Sequence, residues 1–175
     1  IAYDLPGHGH SLRLAADGYT TKAIAELVTT RILADTEHDI VLVGHSYGAM
    51  VGAVVAATFG RRVKTLIILD ATPHRIGTAE DDPETTLVGT LDQLVDSVHA
   101  RVPQRRRDSV LRGVNLNIRC REDGLREWLW DPNFRKSSPL RRGEQDSIWS
   151  ALTSLDIPIT LVVGERAGKV TKAMV

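Results

Sequence analysis

The chain has 175 residues, the length of one domain, and a hydrophobic fraction of 42% is ordinary for a globular core. Its 22 basic and 22 acidic residues cancel, so no net field draws it to nucleic acid or to a membrane surface. One cysteine, Cys120, excludes an internal disulfide, and with no legible signal peptide and no apolar run of transmembrane length the expectation is a cytoplasmic protein without a membrane span.

Ile1-Ala2-Tyr3 reads as the end of a strand, and Lys169 to Val175 as part of a helix. Both ends read as cut, so a fragment of a longer protein is expected. Asp4-Leu5-Pro6-Gly7-His8-Gly9-His10-Ser11 is a turn cluster punctuated by Pro and Gly. Thr20 to Leu33 has helical spacing through Ile24, Leu27, Val28 and Ile32. After Asp39, the run Ile40 to Val43 is apolar and mostly β-branched, the pattern of a buried parallel strand. It stops at Gly44-His45-Ser46-Tyr47-Gly48, and a helix with Met50, Val51, Val54, Val55 and Phe59 on one face follows at once. Ser46 thus falls on a sharp strand-to-helix turn. Glycines two before and two after it suit a turn where strand and helix backbones pass closely. This is the G-x-S-x-G nucleophile elbow in its strand–turn–helix context. The serine would sit at a helix amino end, where unpaired N–H groups favour negative charge, and the N–H of Tyr47 would be one half of an oxyanion hole. The plainer alternative is a structural serine in another doubly wound domain. Such turns bind phosphate through Gly-rich loops, and Gly44–Gly48 fits neither G-x-G-x-x-G nor the P-loop.

Val63 to Leu69 is a third strand, ending in Asp70-Ala71-Thr72-Pro73-His74. The alternation predicts a parallel sheet with its site at the carboxyl ends of the strands. From about Pro73 to Leu155 no convincing central strand is read. Helices are expected around Leu87–Val98, Arg105–Ile118 and Gln145–Leu155, with a turn at Arg121–Gly124 and an apolar anchor at Trp128–Pro132. The organisation read from this is a core of residues 1–72 and 156–175 carrying a mostly helical cap, 73–155, over the strand ends. Ile157 to Gly164 is a further buried strand.

Four stretches in order resemble the α/β-hydrolase superfamily: Asp4-Leu5-Pro6-Gly7-His8-Gly9-His10-Ser11, Val43-Gly44-His45-Ser46-Tyr47-Gly48, Leu69-Asp70-Ala71-Thr72-Pro73 and Pro158 to Gly164. The resemblance implies an α/β fold: a mostly parallel sheet with flanking helices, incomplete at both ends, with a helical cap insertion. It implies a serine nucleophile acting through an acyl-enzyme, with no metal and no organic cofactor. Two departures stand out. Family members carry an earlier strand whose H-G-type loop gives the second oxyanion N–H, and a later strand followed by the catalytic His; neither is in this chain. The usual places of the catalytic acid hold Ala167 and Gly168. Asp70 and Glu165 are the two replacements. Asp70 is favoured on sheet geometry, since neighbouring strands lie about 4.8 Å apart. Against this, Asp70 reads equally well as a turn residue.

Of the six histidines, His45 is read as packing beside the elbow and His74 as lining the pocket mouth, both as candidate substrate contacts. His8 and His10 lack a third metal ligand, and no histidine is assigned as the base. The arginines between Arg101 and Arg121 read as a solvated cap face balanced by Glu80, Asp81, Asp82 and Glu84. Without interleaved aromatics they do not suggest nucleic acid. The tryptophans read as cap core. The resulting expectation is a serine hydrolase of a small-molecule carboxylic ester or related acyl substrate, with the 175-residue piece alone inactive. Its rivals are a carbon–carbon bond hydrolase, a cofactor-free haloperoxidase-like member, and a ligand-binding or sensor protein of the same fold. Ala167 and Gly168 speak for the last.

Overall fold

The computed structural model describes residues 1–73, 87–136 and 143–164. At its centre are three parallel strands in the order β1 (Ile40–His45), β2 (Val63–Leu69) and β6 (Ile159–Val162). Helix α1 (Thr21–Asp35) precedes β1, and α2 (Tyr47–Phe59) joins β1 to β2. Thr20 caps α1 by accepting the Ala23 N–H at 3.1 Å.

Helix α2 is the hub, which explains why it is apolar nearly all round. Ala49, Met50 and Ala53 pack with Leu66 and Ile68 of β2 and with Ile148 and Leu152 of α6 (Gln145–Thr153). Val51 and Val55 pack with Tyr19 and with Ile24, Ala25 and Ile32 around α1. So α6, placed by sequence within the cap, joins the core instead. No helix among the described residues is long and apolar enough to cross a membrane.

Two expectations need correction. The strand read at Ile1–Tyr3 is not formed; Tyr3 instead donates its hydroxyl to Asp35 at 2.7 Å. A strand needs a partner ladder, which three apolar residues do not specify. Second, β1 is not buried on both faces. Its Leu42 meets the core, whereas Val41 and Val43 are 58% and 61% exposed. Among the described residues β1 is an edge strand, covered by helix on one side only. The stretch read as lacking a central strand adds none to the parallel sheet among the described residues, but it carries three short strands, β3 (Val88–Gly89), β4 (Ile118–Cys120) and β5 (Arg126–Trp128), in a separate antiparallel sheet ordered β3-β5-β4.

That small sheet is built on the expected turn at Arg121–Gly124. Gly124 has φ +81°, and the turn closes through Gly124 N–H to Arg121 O at 3.1 Å and Arg121 N–H to Leu125 O at 2.9 Å. Arg119 and Glu127 face each other across the two strands at 2.6 Å. Helices α3 (Leu91–His99) and α4 (Arg107–Asn115) lie between β3 and β4. Leu94, Val95, Val110 and Val114 make a separate cluster, against which the half-buried Trp128 packs. Among the described residues the arginines pair locally: Arg107 with Asp92 and Asp96, Arg106 and Arg112 with Asp108, Arg121 with Asp123 and Glu127. Glu80 to Glu84 lie outside the described residues. Arg119 pulls the Glu127 carboxyl below its usual range, and Arg121 does the same to Asp123.

Candidate active site

The elbow is formed at the expected residues. β1 ends at His45, α2 begins at Tyr47, and Ser46 between them has φ 51° and ψ −125°. A side chain in that region is strained, and such strain persists only where the surroundings enforce it. They do so here from both sides. The Ser46 N–H donates to Leu69 O of β2 at 3.2 Å, and its own carbonyl accepts the Ala49 N–H at 3.0 Å. Ser46 is exposed. As the first residue of α2, Tyr47 has no carbonyl one helical turn earlier to take its N–H.

The two glycines of the motif differ. A Cβ on Gly44 would meet the backbone of the helix, 2.5 Å from Ala49 Cα and 2.6 Å from Gly48 O. A Cβ on Gly48 would meet nothing within 4 Å among the described residues. The close passage inferred from the motif is real on the strand side and absent on the helix side. Helices leave their strand at an angle, so only the residue beneath the first turn is crowded.

Asp70 is the other non-glycine residue with positive φ, at 48°, among the described residues. The strands pair Gly44 with Ile68 and His45 with Leu69. Ser46 and Asp70 therefore follow register-matched ends of adjacent strands. The Asp70 N–H donates to Val162 O of β6 at 2.8 Å. Its Oδ1 is buried and has no hydrogen-bond partner among the described residues. A buried carboxylate oxygen left unpaired is costly, so it marks a place where a donor belongs. His74 and Glu165 lie outside the described residues.

A cavity of about 820 Å³ opens beside Ser46. Asp4, His8, His45 and Tyr47 line it with the serine, and Leu5, Val28, Ile32 and Val43 give it an apolar wall. Asp70 is not in its lining. His45 is exposed rather than packed beside the turn. β-Strand alternation puts it on the same side as Val41 and Val43, the side without helices among the described residues. His8 sits in the Asp4–Ser11 loop, where Gly7 and Gly9 take φ +79° and +53° and His8 N–H bonds to Leu5 O at 2.9 Å.

Sequence reading missed a buried polar group beside the elbow. Tyr19, fully buried, donates its hydroxyl to Asp131 at 2.5 Å and accepts the Leu14 N–H at 3.0 Å. Burial first, and then the bond to Asp131, raise the Tyr19 phenol above its ordinary range. Asp131 also accepts the Asn133 N–H at 2.9 Å, which makes it the cap of the short helix α5 (Pro132–Lys136). The signal was available: Asp before Pro is a capping residue followed by the residue best suited to the first helical position. Phe134 of α5 reaches the elbow, its ring centroid 5.1 Å from that of Tyr47. Burial pushes the Tyr47 phenol up as well.

The sequence model of the α/β hydrolase fold family matches residues 1–154. The chain is 29% identical to esterase Rv0045c of Mycobacterium tuberculosis, covering 98% of this chain and 59% of that protein. It is 28% identical to the putative esterase/lipase 2 of Mycoplasma pneumoniae over 63% of this chain and 37% of that one. The crystal structure of the Mycobacterium tuberculosis esterase superposes with a TM-score of 0.76 at 29% identity, covering 97% of this chain and 58% of the other. The chain thus spans less than two thirds of the length of these relatives.

Proposed function

The chain belongs to the α/β hydrolase fold family, and we propose that it carries the nucleophile of a serine esterase. The observation behind this is the backbone of Ser46, held at φ 51° on a strand-to-helix turn at the amino end of α2. A serine needs no such conformation to cap or to pack. The turn raises its hydroxyl above the sheet next to a cavity with an apolar wall. The names of the relatives support ester hydrolysis as the reaction.

In this reading Ser46 Oγ attacks the carbonyl carbon of a small or medium carboxylic ester. The proton passes to a histidine and then to the leaving alcohol. The Tyr47 N–H, together with a second N–H, holds the negative charge that develops on the carbonyl oxygen. Water, deprotonated by the same histidine, releases the acid and restores Ser46. The histidine and the second N–H come from residues of the longer protein beyond these 175, in keeping with the length of the relatives. Asp70 orients that histidine. Its unpaired, buried Oδ1 one strand away from Ser46 supports this assignment over Glu165. His45 and His74 contact the substrate. The reaction needs no metal and no organic cofactor. Residues 88–136, apart from α5, form the lid over the strand ends, supported by the separate cluster they bury.

Fluorophosphonate labelling read by mass spectrometry tests the nucleophile. The complete gene product should label at Ser46 and hydrolyse p-nitrophenyl esters, and Ser46→Ala should do neither. Turnover retained by Ser46→Ala would refute the reading.

A further inference from the structure

The segment from Leu129 to Phe134 runs from the small sheet back to the elbow and is tied down along its length. Leu129 N–H donates to Asn117 O at 2.8 Å and Asp131 N–H to Gly7 O at 2.7 Å. The Asp131 carboxylate, only 4% exposed, takes the Tyr19 hydroxyl on one oxygen and the Asn133 N–H on the other. Tyr19 in turn fixes the loop that carries His8, through the Leu14 N–H. At the end of this strap Phe134 meets three rings edge-on: His8 at 4.5 Å, Tyr47 at 5.1 Å and Tyr19 at 5.6 Å. Those separations and angles are the favourable ones for aromatic pairs. On its other side the Tyr47 hydroxyl reaches Thr21 at 3.5 Å.

We propose that Phe134 is a positioning residue for the reaction at Ser46: wedged between His8 and Tyr47, it fixes the first turn of α2 and the adjoining wall of the cavity. The inference rests on the serine-esterase reading above. The first turn of a helix has few hydrogen bonds of its own, so the side chains that pack on it set where its N–H groups point. The Tyr47 ring is gripped by Phe134 and Thr21, and its backbone carries the proposed oxyanion donor. Phe134 touches no reacting atom in this account; it acts through Tyr47.

The test is kinetic and uses the complete gene product, with reactive sites counted by fluorophosphonate titration. Phe134→Leu keeps apolar volume and loses the ring edges. Its kcat per labelled serine should fall about tenfold or more, the scale set by displacements of a fraction of an ångström to 1 Å at a catalytic group, while KM for short and long p-nitrophenyl esters stays within about twofold. Phe134→Tyr, which keeps the ring, should restore kcat. Tyr19→Phe, which cuts the strap's bond to the core and leaves the ring contacts' residues in place, should lower kcat in the same way, and it serves if Phe134→Leu does not fold. An unchanged kcat per labelled serine, with only the yield of labelled protein reduced, would make Phe134 a packing residue and overturn the proposal. A rise in KM alone would make it a substrate contact and overturn it equally. Turnover surviving in Ser46→Ala would instead bring down the esterase reading itself, so the two failures are told apart.

Discussion

Replacing Gly44 with alanine would place a Cβ 2.5 Å from Ala49 Cα, 2.6 Å from Gly48 O and 2.7 Å from Ala49 N. All three are backbone atoms, so no side chain can swing aside. Ordinary carbon contacts begin near 3.5 Å, and the first turn of α2 would have to lift by about 1 Å to restore them. Overpacking of that kind costs about 1–3 kcal/mol. At Gly48 the same substitution meets nothing within 4 Å, and the residue lies inside α2. Alanine there relieves the helix penalty of glycine and should add up to about 1 kcal/mol. The two variants of one motif therefore differ in sign and separate by about 1–4 kcal/mol. Urea unfolding followed by circular dichroism measures both. Gly44→Ala should also lose esterase activity beyond its loss of fold, because a lift of about 1 Å moves Ser46 and Tyr47 out of alignment and is worth as much as 100-fold in rate. Equal destabilisation by the two substitutions, or a Gly44→Ala protein as stable and active as the parent, would refute the reasoning from close approach.

Asp70→Asn keeps the side chain's shape and tolerates the same positive φ, so it isolates the charge; kcat should fall by about 100-fold or more with the fold intact. If Glu165→Gln is the damaging change and Asp70→Asn is silent, the acid is Glu165. Glu127 titrates below its usual range because Arg119, and then Arg121, bond to its charged form. A depressed carboxyl contributes stability above its unfolded value, about 4.3, and loses it as the pH falls through the folded value. The gap in Tm between parent and Glu127→Gln should thus be full at neutral pH and close on acidification; a gap constant down to about pH 2 would refute this. Thr90 accepts the Gln93 N–H and Gln93 returns the bond to the Thr90 N–H, a complete capping box on α3. Thr90→Ala should cost about 1 kcal/mol in urea unfolding, and a change smaller than the error would show that the box contributes nothing.

What could be read from the sequence was local. Val63–Leu69 forms as a strand over the residues expected, and α2 starts directly after Ser46, because apolar run, turn residues and helical spacing all lie within one short stretch. What could not be read depends on partners distant in the chain. β4 and β5 are three residues each and held by cross-strand pairs such as Arg119 with Glu127, too short for alternation to read as a strand. The exposure of Val41 and Val43 follows from which faces of the sheet are covered, which a run of β-branched residues does not encode. Tyr19 and Asp131 are 112 positions apart, and Asp131 before Pro132 signals a helix cap but not its buried partner. The motif itself misled at Gly48, where identical letters hide one crowded glycine and one open one.

The candidate site is best understood through its strain. Ser46 and Asp70 hold positive φ at matched ends of neighbouring strands, and each such residue costs about 1–3 kcal/mol and persists only where the surroundings impose it. Those surroundings can be named. β2 takes the Ser46 N–H, β6 takes the Asp70 N–H, and Gly44 lets the helix backbone come down onto the strand. Helix α2 cannot relax away, because α1 and α6 bury its two flanks in separate clusters. The elements that bury α2 therefore also bear on the elbow. Substitutions that merely loosen packing around α2 should lower activity sooner than they lower the folded fraction. Phe134 and Gly44 press on the same helical turn from different directions, so their effects on rate should be coupled rather than additive in a double-mutant cycle.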